Sequence, residues 1–590
     1  MSADPHATVN AKADRTRDPA TAATVRALAS LSLAVLLASC AMAPEPRTPA
    51  DKAPTIAVPG EAPRTQIAAT AHPLATKAAL AMLDKGGTPI DAAIAAQMVL
   101  GLVEPQSSGV GGGTVVMHWD AATRKLTSFD GLAKAPSVVS GRLGAVNPGG
   151  RANPAALRGG YSVGVPGTLP VLKVVHERYG RLSWEALFEP AITAAEQGFP
   201  LAPYLHRVLS RPNAASNHPE MVPLYFGPDG KVLPVGTLLR NPDYARTLRR
   251  VAKKGPEGLF ADGGAARIVA AARRGYRASA MSEDDLRAYR AIEREPLCAP
   301  YLVYTVCTMG PPSFGGVRML QIVQVAERLG NGRHDLGDPA VAHVFLEASR
   351  LAMADRDQFG DDPDRRPVPA RELVSAAHVA KQAAAIDAAR TRRLAPGTVS
   401  DTGAGAARSS GEMTSQMAIV DAAGNAVSIT TTINLDFGSR LMVDGFVLNN
   451  AMNLFTDLPT PGPNRIGPGA RGVTSMAPTI AFDREGNPVL VGGAAGGAVI
   501  PEYVAAAVID MLANGHTPSQ ALAAGHLSAA ASPGKVRLES RTPAARLAPA
   551  LRAMGHDVEE GILLSGLAFL KHTPAGWIGA ADPRRDGTAQ

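Results

Sequence analysis

The feature that most constrains this chain is a change of character at Thr414. Residues 395–413 (APGTVSDTGAGAARSSGEM) are small and polar and read as a loop. From Thr414 the run TSQMAIVDAAGNAVSITTTIN turns to strand formers, with a hairpin turn at residues 422–425. A backbone cut between Met413 and Thr414 would leave a threonine with a free α-amine at the head of a strand. That residue would hold a nucleophile and a base together. A hydroxyl is a weak nucleophile until a neighbour takes its proton. An α-amine titrates at about 7.7–8.0, close to where a general base works best. The cut can be self-made: the Thr414 hydroxyl attacks the Met413 carbonyl, forms an ester, and water completes the cleavage. Threonine also opens many strands without doing chemistry, so the surroundings decide.

Acyl transfer needs donors for an oxyanion, and backbone N–H groups at the start of a helix suit that task. The segment VLVGGAAGGAVIPEYVAAAVIDMLANG supplies them. Residues 489–493 read as a strand and Gly496-Gly497 as a tight turn. Pro501 fits the first turn of a helix that Gly515 ends. Paired glycines let the backbone approach a ligand closely.

With these residues in view, the chain resembles the γ-glutamyltranspeptidases. The resemblance rests on residues 413–421, Thr430-Thr431-Thr432-Ile433-Asn434, Phe437-Gly438-Ser439, Leu448-Asn449-Asn450, Thr474-Ser475-Met476-Ala477-Pro478-Thr479 and Gly496-Gly497. Earlier motifs fit in the same order: residues 104–113 (EPQSSGVGGG), 162–167 (SVGVPG), 311–316 (PPSFGG) and Ala354-Asp355-Arg356. The closing Ala581-Asp582-Pro583-Arg584 completes the series, so the likeness runs from about residue 73 to the end. It implies a mixed α/β fold, the four-layer αββα sandwich of N-terminal-nucleophile hydrolases. It implies a precursor cut at Met413–Thr414 into a large subunit (70–413) and a small one (414–590), which stay together as a heterodimer. Thr414 would be the nucleophile and Thr432 the second threonine that hydrogen-bonds it. Gly496 and Gly497 would form the oxyanion pair. Asn434, Thr474 and Ser475 would hold the α-amino and α-carboxylate groups of a glutamyl substrate. The implied reaction is acyl transfer from a glutathione-like or other amide or peptide donor to water or an amine. No cofactor and no metal are implied.

Two departures bear on specificity. Where the family carries an arginine for the substrate carboxylate, this chain has Leu132, in DGLAKAP. Where it carries an aspartate for the α-ammonium, this chain has Leu454, and Ala451 replaces a glutamine ligand. A guanidinium fork on a carboxylate is a strong contact, and losing it costs about 2–5 kcal/mol for a desolvated pair. Loss of both charges points to an apolar or uncharged acyl group. Lys134, two residues on and placed on the same strand face as Leu132, could instead supply a cation. Residues 455–474 are too short for the lid seen in several family members, which would open the groove to β-lactam side chains or polymers. The readings that follow are a γ-glutamyltransferase-like amidohydrolase, a cephalosporin or other acylase or polymer-directed transpeptidase, and a non-catalytic lipid-anchored binding protein. Intact Thr414, Thr432 and the glycine pair oppose the last.

The N-terminus suggests an address. Residues 28–38 are apolar with Arg26 ahead of them, too short to span a membrane but suited to a secretory signal. They end in Leu37-Ala38-Ser39-Cys40, which resembles a bacterial lipobox. The expectation is a leader at 1–39, lipidation of Cys40, a Pro/Ala-rich tether to residue 69, and a periplasmic, membrane-anchored enzyme. Cys298 and Cys307 flank two short strands; a disulfide and two free thiols are both open. The net charge of +7 is spread over 590 residues without an aromatic-interleaved basic patch, which argues against nucleic acid. Gly109 to Gly113 precede a strand, not the helix a phosphate loop needs.

Overall fold

The computed structural model describes residues 61–139, 154–211, 219–275, 277–391, 412–456, 462–530 and 534–590. The leader, Cys40 and most of the loop before Met413 lie outside the described residues.

Two antiparallel sheets form the centre. The first has seven strands in the spatial order Thr588–Ala589, Ile67–Thr70, Glu412–Val420, Ala426–Leu435, Gly113–Asp120, Lys125–Gly131, Ile292–Arg294. The second has six: Gly576–Ala581, Ala568–Thr573, Pro488–Gly493, Thr479–Phe482, Tyr304–Thr308, Leu297–Tyr301. Side chains alternate across each strand. Val115, Met117, Ala418 and Val420 enter a core shared with Ile480, Val491 and Leu570 of the second sheet. Their neighbours Val116, Met417 and Ile419 point the other way, into helices such as Pro73–Asp84 and Pro89–Val103. Leu490 and Phe569 of the second sheet face Gly315–Gly330, Pro339–Phe359 and Ile500–Leu512. Both faces of both sheets are covered, which gives the expected αββα layering and explains why these strands are apolar on each side.

Local signals hold where they are strong. Thr88 caps Pro89–Val103 in a capping box with Asp91, whose Oδ2 accepts from the Thr88 N–H at 2.8 Å. Every residue of that helix is buried, and it delivers Glu104 to the strand Glu412–Val420, where Ser415 bonds it. Cys298 and Cys307 stand opposite each other on paired strands and are joined as a disulfide. No described helix is long and apolar enough to cross a membrane.

Boundaries differ in four places. The tether was expected to reach residue 69, yet Ile67–Thr70 is a buried strand between Glu412–Val420 and Thr588–Ala589. Thr414 is the third residue of its strand rather than the first, because Glu412 and Met413 already pair with Leu435 and Asn434. The helix expected to end at Gly515 ends at Leu512. The strand before Leu132 stops at Gly131, so Leu132 and Lys134 do not share one strand face; Lys134 instead bridges to Val165 and Arg471.

Candidate active site

The hairpin that carries Thr414 pairs Ser415 with Thr431 and Met413 with Asn434, and its register shifts between those pairs. The irregularity re-aims one side chain, that of Thr432. Thr432 Oγ1 donates to the Met413 carbonyl at 2.6 Å and accepts from the Asn434 N–H at 2.8 Å. Thr414 Oγ1 donates to it at 3.5 Å. One hydroxyl therefore bonds the carbonyl of the expected scissile bond and meets the Thr414 hydroxyl. Asn434 holds φ at +80°, a left-handed conformation that asparagine tolerates better than most residues. Its Nδ2 donates to the Asn450 carbonyl at 3.1 Å.

Glycines bring the backbones close enough for this. A Cβ on Gly112 would sit 2.3 Å from the Thr432 carbonyl oxygen, and one on Gly113 2.5 Å from the Ala133 nitrogen. The glycine run before the strand Gly113–Asp120 thus serves close packing of the hairpin. On the opposite side, Gly496 and Gly497 adopt φ of +146° and +65° and lead through a short turn into Ile500–Leu512. That turn touches the nucleophile strand. Its positive φ angles suit glycine, and it stands immediately before a helix start.

Three residues escaped the sequence reading. Tyr204 directs its hydroxyl to Met413 Sδ at 3.0 Å, seating the residue before the cut. Arg585 donates from Nη1 to the Thr414 carbonyl at 2.6 Å and from Nε to the Ser565 carbonyl, with its guanidinium 5.0 Å from the Tyr204 ring centre. Glu104 accepts from Ser415 Oγ at 2.7 Å. Burial pushes the Glu104 carboxyl up to about 7, against the pull of the Arg585 charge and the Ser415 hydrogen bond. Only Glu104 stood within a quoted motif, and Arg585 lies one residue past another.

The expected recognition side is built differently. Leu132 lies in the inter-sheet core with Val115, Met309 and Met476, and Ala451 and Leu454 line a single short turn. Thr474 is buried, and its hydroxyl is paired with Ser313 Oγ at 2.9 Å and accepts from the Met476 N–H. Ser475 is half-buried. The nearest arginine in sequence, Arg471, is committed elsewhere. Its Nε lies 3.3 Å from Asp130, its Nη2 donates to the Arg290 carbonyl, and Arg294 bonds both Asp130 and Asp364. Lys134 sits with its ammonium 5.3 Å from the Tyr289 ring centre, and burial and the Arg471 charge lower its proton affinity.

Two other features lie apart from this centre. A cavity of about 340 Å³, lined by Trp119, Arg124, Asp483, His572 and Trp577, sits at the turn end of the hairpin, away from Thr414. One group of potential metal ligands exists among the described residues: His343, Glu347 and His556. Their atoms already satisfy one another. His343 Nε2 bonds the Asp387 carbonyl, His343 Nδ1 and His556 Nε2 are 2.7 Å apart, and Glu347 binds Arg350 and Thr391.

Two stacked antiparallel sheets between helical layers, with a threonine-bearing hairpin facing a glycine turn, define the N-terminal-nucleophile hydrolase architecture. The crystal structure of a cephalosporin acylase from Bacillus halodurans shares it, with a TM-score of 0.76 at 24% identity over 93% of this chain and 99% of that one. The Helicobacter pylori gamma-glutamyltranspeptidase matches with a TM-score of 0.53 at 26% identity, over 58% of this chain and 99% of that one. The family model described as Gamma-glutamyltranspeptidase matches residues 75–590, and the chain belongs to that family of enzymes. The glutathione hydrolase proenzyme of Bacillus subtilis (strain 168) is 30% identical over 88% of this chain and 90% of its own. The acylase ACY 1 proenzyme of Pseudomonas sp. (strain SE83) is 31% identical over 88% and 92%.

Proposed function

We propose that this protein cuts itself between Met413 and Thr414 and then works as an amidohydrolase or acyltransferase with Thr414 as nucleophile. The observation that carries the proposal is the Thr432 hydroxyl, 2.6 Å from the Met413 carbonyl oxygen and 3.5 Å from Thr414 Oγ1 in the uncut chain. In turnover the Thr414 hydroxyl gives its proton to the α-amine while Oγ1 bonds the acyl carbon. The Gly496 and Gly497 N–H groups take the oxyanion. The C–N bond then breaks, the amine proton passes to the leaving nitrogen, and water or a second amine resolves the ester. Intact-mass measurement of fresh protein tests this: the expected result is a small subunit beginning at Thr414, and a persistently whole chain defeats it.

The acyl group we assign is uncharged where a glutamyl group is zwitterionic. Leu132, Ala451 and Leu454 support this, as does the commitment of Arg471 to Asp130. Glutathione hydrolase and acylase relatives match at similar identity, 30% and 31%, so the assignment rests on these residues. Comparing γ-glutamyl anilide with short apolar acyl anilides on processed protein decides between them. Export and lipid attachment at Cys40 are proposed from the sequence alone; loss of lipid labelling in Cys40→Ser is the expected result, and labelling that persists there would remove the anchor.

A further inference from the structure

Cutting the Met413–Thr414 bond changes the electrostatics of a closed place. A neutral peptide N–H becomes an α-amine that must carry a positive charge each time it accepts the nucleophile's proton. A charge formed out of water needs a partner. Arg585, bound to the Thr414 carbonyl, has the wrong sign.

Glu104 has the right one. It follows the last turn of Pro89–Val103 and is 1% exposed. Its Oε2 accepts from Ser415 Oγ at 2.7 Å, and Ser415 is the residue bonded to Thr414. Ser108 Oγ donates to Ser415 Oγ at 3.1 Å and steadies that hydroxyl. Glu104 Oε1 is buried and without a hydrogen-bond partner among the described residues. A buried carboxylate with one idle oxygen is costly unless something uses it. The charged and titratable groups that face Glu104 are Arg585 and Asp586 near the C-terminus and the Tyr204 phenol. In the uncut chain the single cation among them is already shared with the Thr414 carbonyl.

We infer that Glu104 is a positioning residue for the nucleophile: held by Ser415, its carboxylate stabilises the α-ammonium that Thr414 acquires after the cut. The inference rests on the reading of Thr414 as the processed nucleophile. It assigns Glu104 no contact with substrate. It makes the carboxyl and the new amine titrate as a pair. It also predicts that an opposite charge close by raises the amine's proton affinity.

The test uses processed wild-type, Glu104→Gln and Ser415→Ala proteins, each verified by mass to begin its small subunit at Thr414. Acylation of Thr414 by p-nitrophenyl acetate is followed by intact mass as a function of pH. In Glu104→Gln the plateau rate should fall and the acidic limb should move down by about 1 pH unit, because the amine loses its counter-charge. Ser415→Ala keeps the carboxylate but frees it, and should move the limb the same way by less. A limb that stays in place in both variants overturns the inference, even where the rate falls, because a merely structural role lowers rate without moving the limb. If Glu104→Gln does not process, the Ser415→Ala limb alone decides. A wild-type small subunit that begins at Thr414 but is never acylated there overturns the parent reading, and this inference with it.

Discussion

The reaction side and the recognition side of this site are built to different standards. Around Thr414 the polar groups are held by specific hydrogen bonds: Thr432 to the Met413 carbonyl, Arg585 to the Thr414 carbonyl, and one oxygen of Glu104 to Ser415. On the recognition side Leu132, Ala451 and Leu454 themselves carry no charge to grip a zwitterion, and Arg471 is bound into Asp130 and the Arg290 carbonyl. The contrast teaches that bond-making and substrate choice occupy separable parts of this fold. The hairpin and the glycine turn must keep their geometry for any acyl group. The pocket wall need only match one.

The comparison can be broken in several places. The largest effect belongs to Thr414→Ala: the chain should stay whole on a denaturing gel and show no turnover, since the proposed reading takes both attacking oxygen and base from this residue. Asp130→Asn should cost about 2–5 kcal/mol in urea unfolding, because it removes the buried carboxylate between Arg294 and Arg471 and leaves them only the part-exposed Asp364. A change under about 1 kcal/mol there would mean that Arg471 is not committed to structure. Thr432→Val should slow self-cleavage by about 10²–10³-fold in a time course of band splitting, the usual effect of losing one donor on a reacting carbonyl. On the recognition side, wild-type kcat/KM should favour an apolar acyl anilide over γ-glutamyl anilide by roughly 30-fold or more, the equivalent of about 2 kcal/mol. Equal rates would erase the distinction between the two sides.

The smallest effect separates scaffold from site. Burial lowers His72 and His118 to about 4 and His556, with help from Arg350 and His343, to about 3. Each binds its proton more weakly folded than unfolded, so the unfolded chain takes up more protons as pH falls below about 6.5. The histidine contribution is whole above that pH and declines toward 4 by about 1.4 kcal/mol per pH unit per group, offset in part by the raised Glu104 carboxyl, which keeps its proton in the folded chain up to about 7. Unfolding at pH 7 and pH 5 should differ accordingly, with a shallower slope in His556→Gln.

Much of the frame was legible because its signals are local. The turn between Val420 and Ala426 and the glycines before Ile500 each fix a few neighbouring residues. What escaped depends on distant partners. Ile67–Thr70 looked like tether because its strand character comes from pairing with residues about 350 and 520 positions away. Arg585 and Tyr204 gain their meaning only when the C-terminal segment and the helix Pro203–Leu209 meet at Met413 and Thr414. The side of the site that binds substrate was legible as a set of losses, since a missing charge shows in sequence. The duty of Arg471 was not, because its carboxylate partner lies 341 residues before it.

The order of strands has a consequence for the life of the molecule. Ile67–Thr70 lies between Thr588–Ala589 and Glu412–Val420, and Thr479–Phe482 continues directly into Tyr304–Thr308. Severing the polypeptide before Thr414 would therefore yield two fragments woven through both sheets, like warp and weft. Neither could leave without breaking strand pairing in both sheets. Such a protein would be laid down as one continuous thread before any cut, and the cut would not loosen the weave.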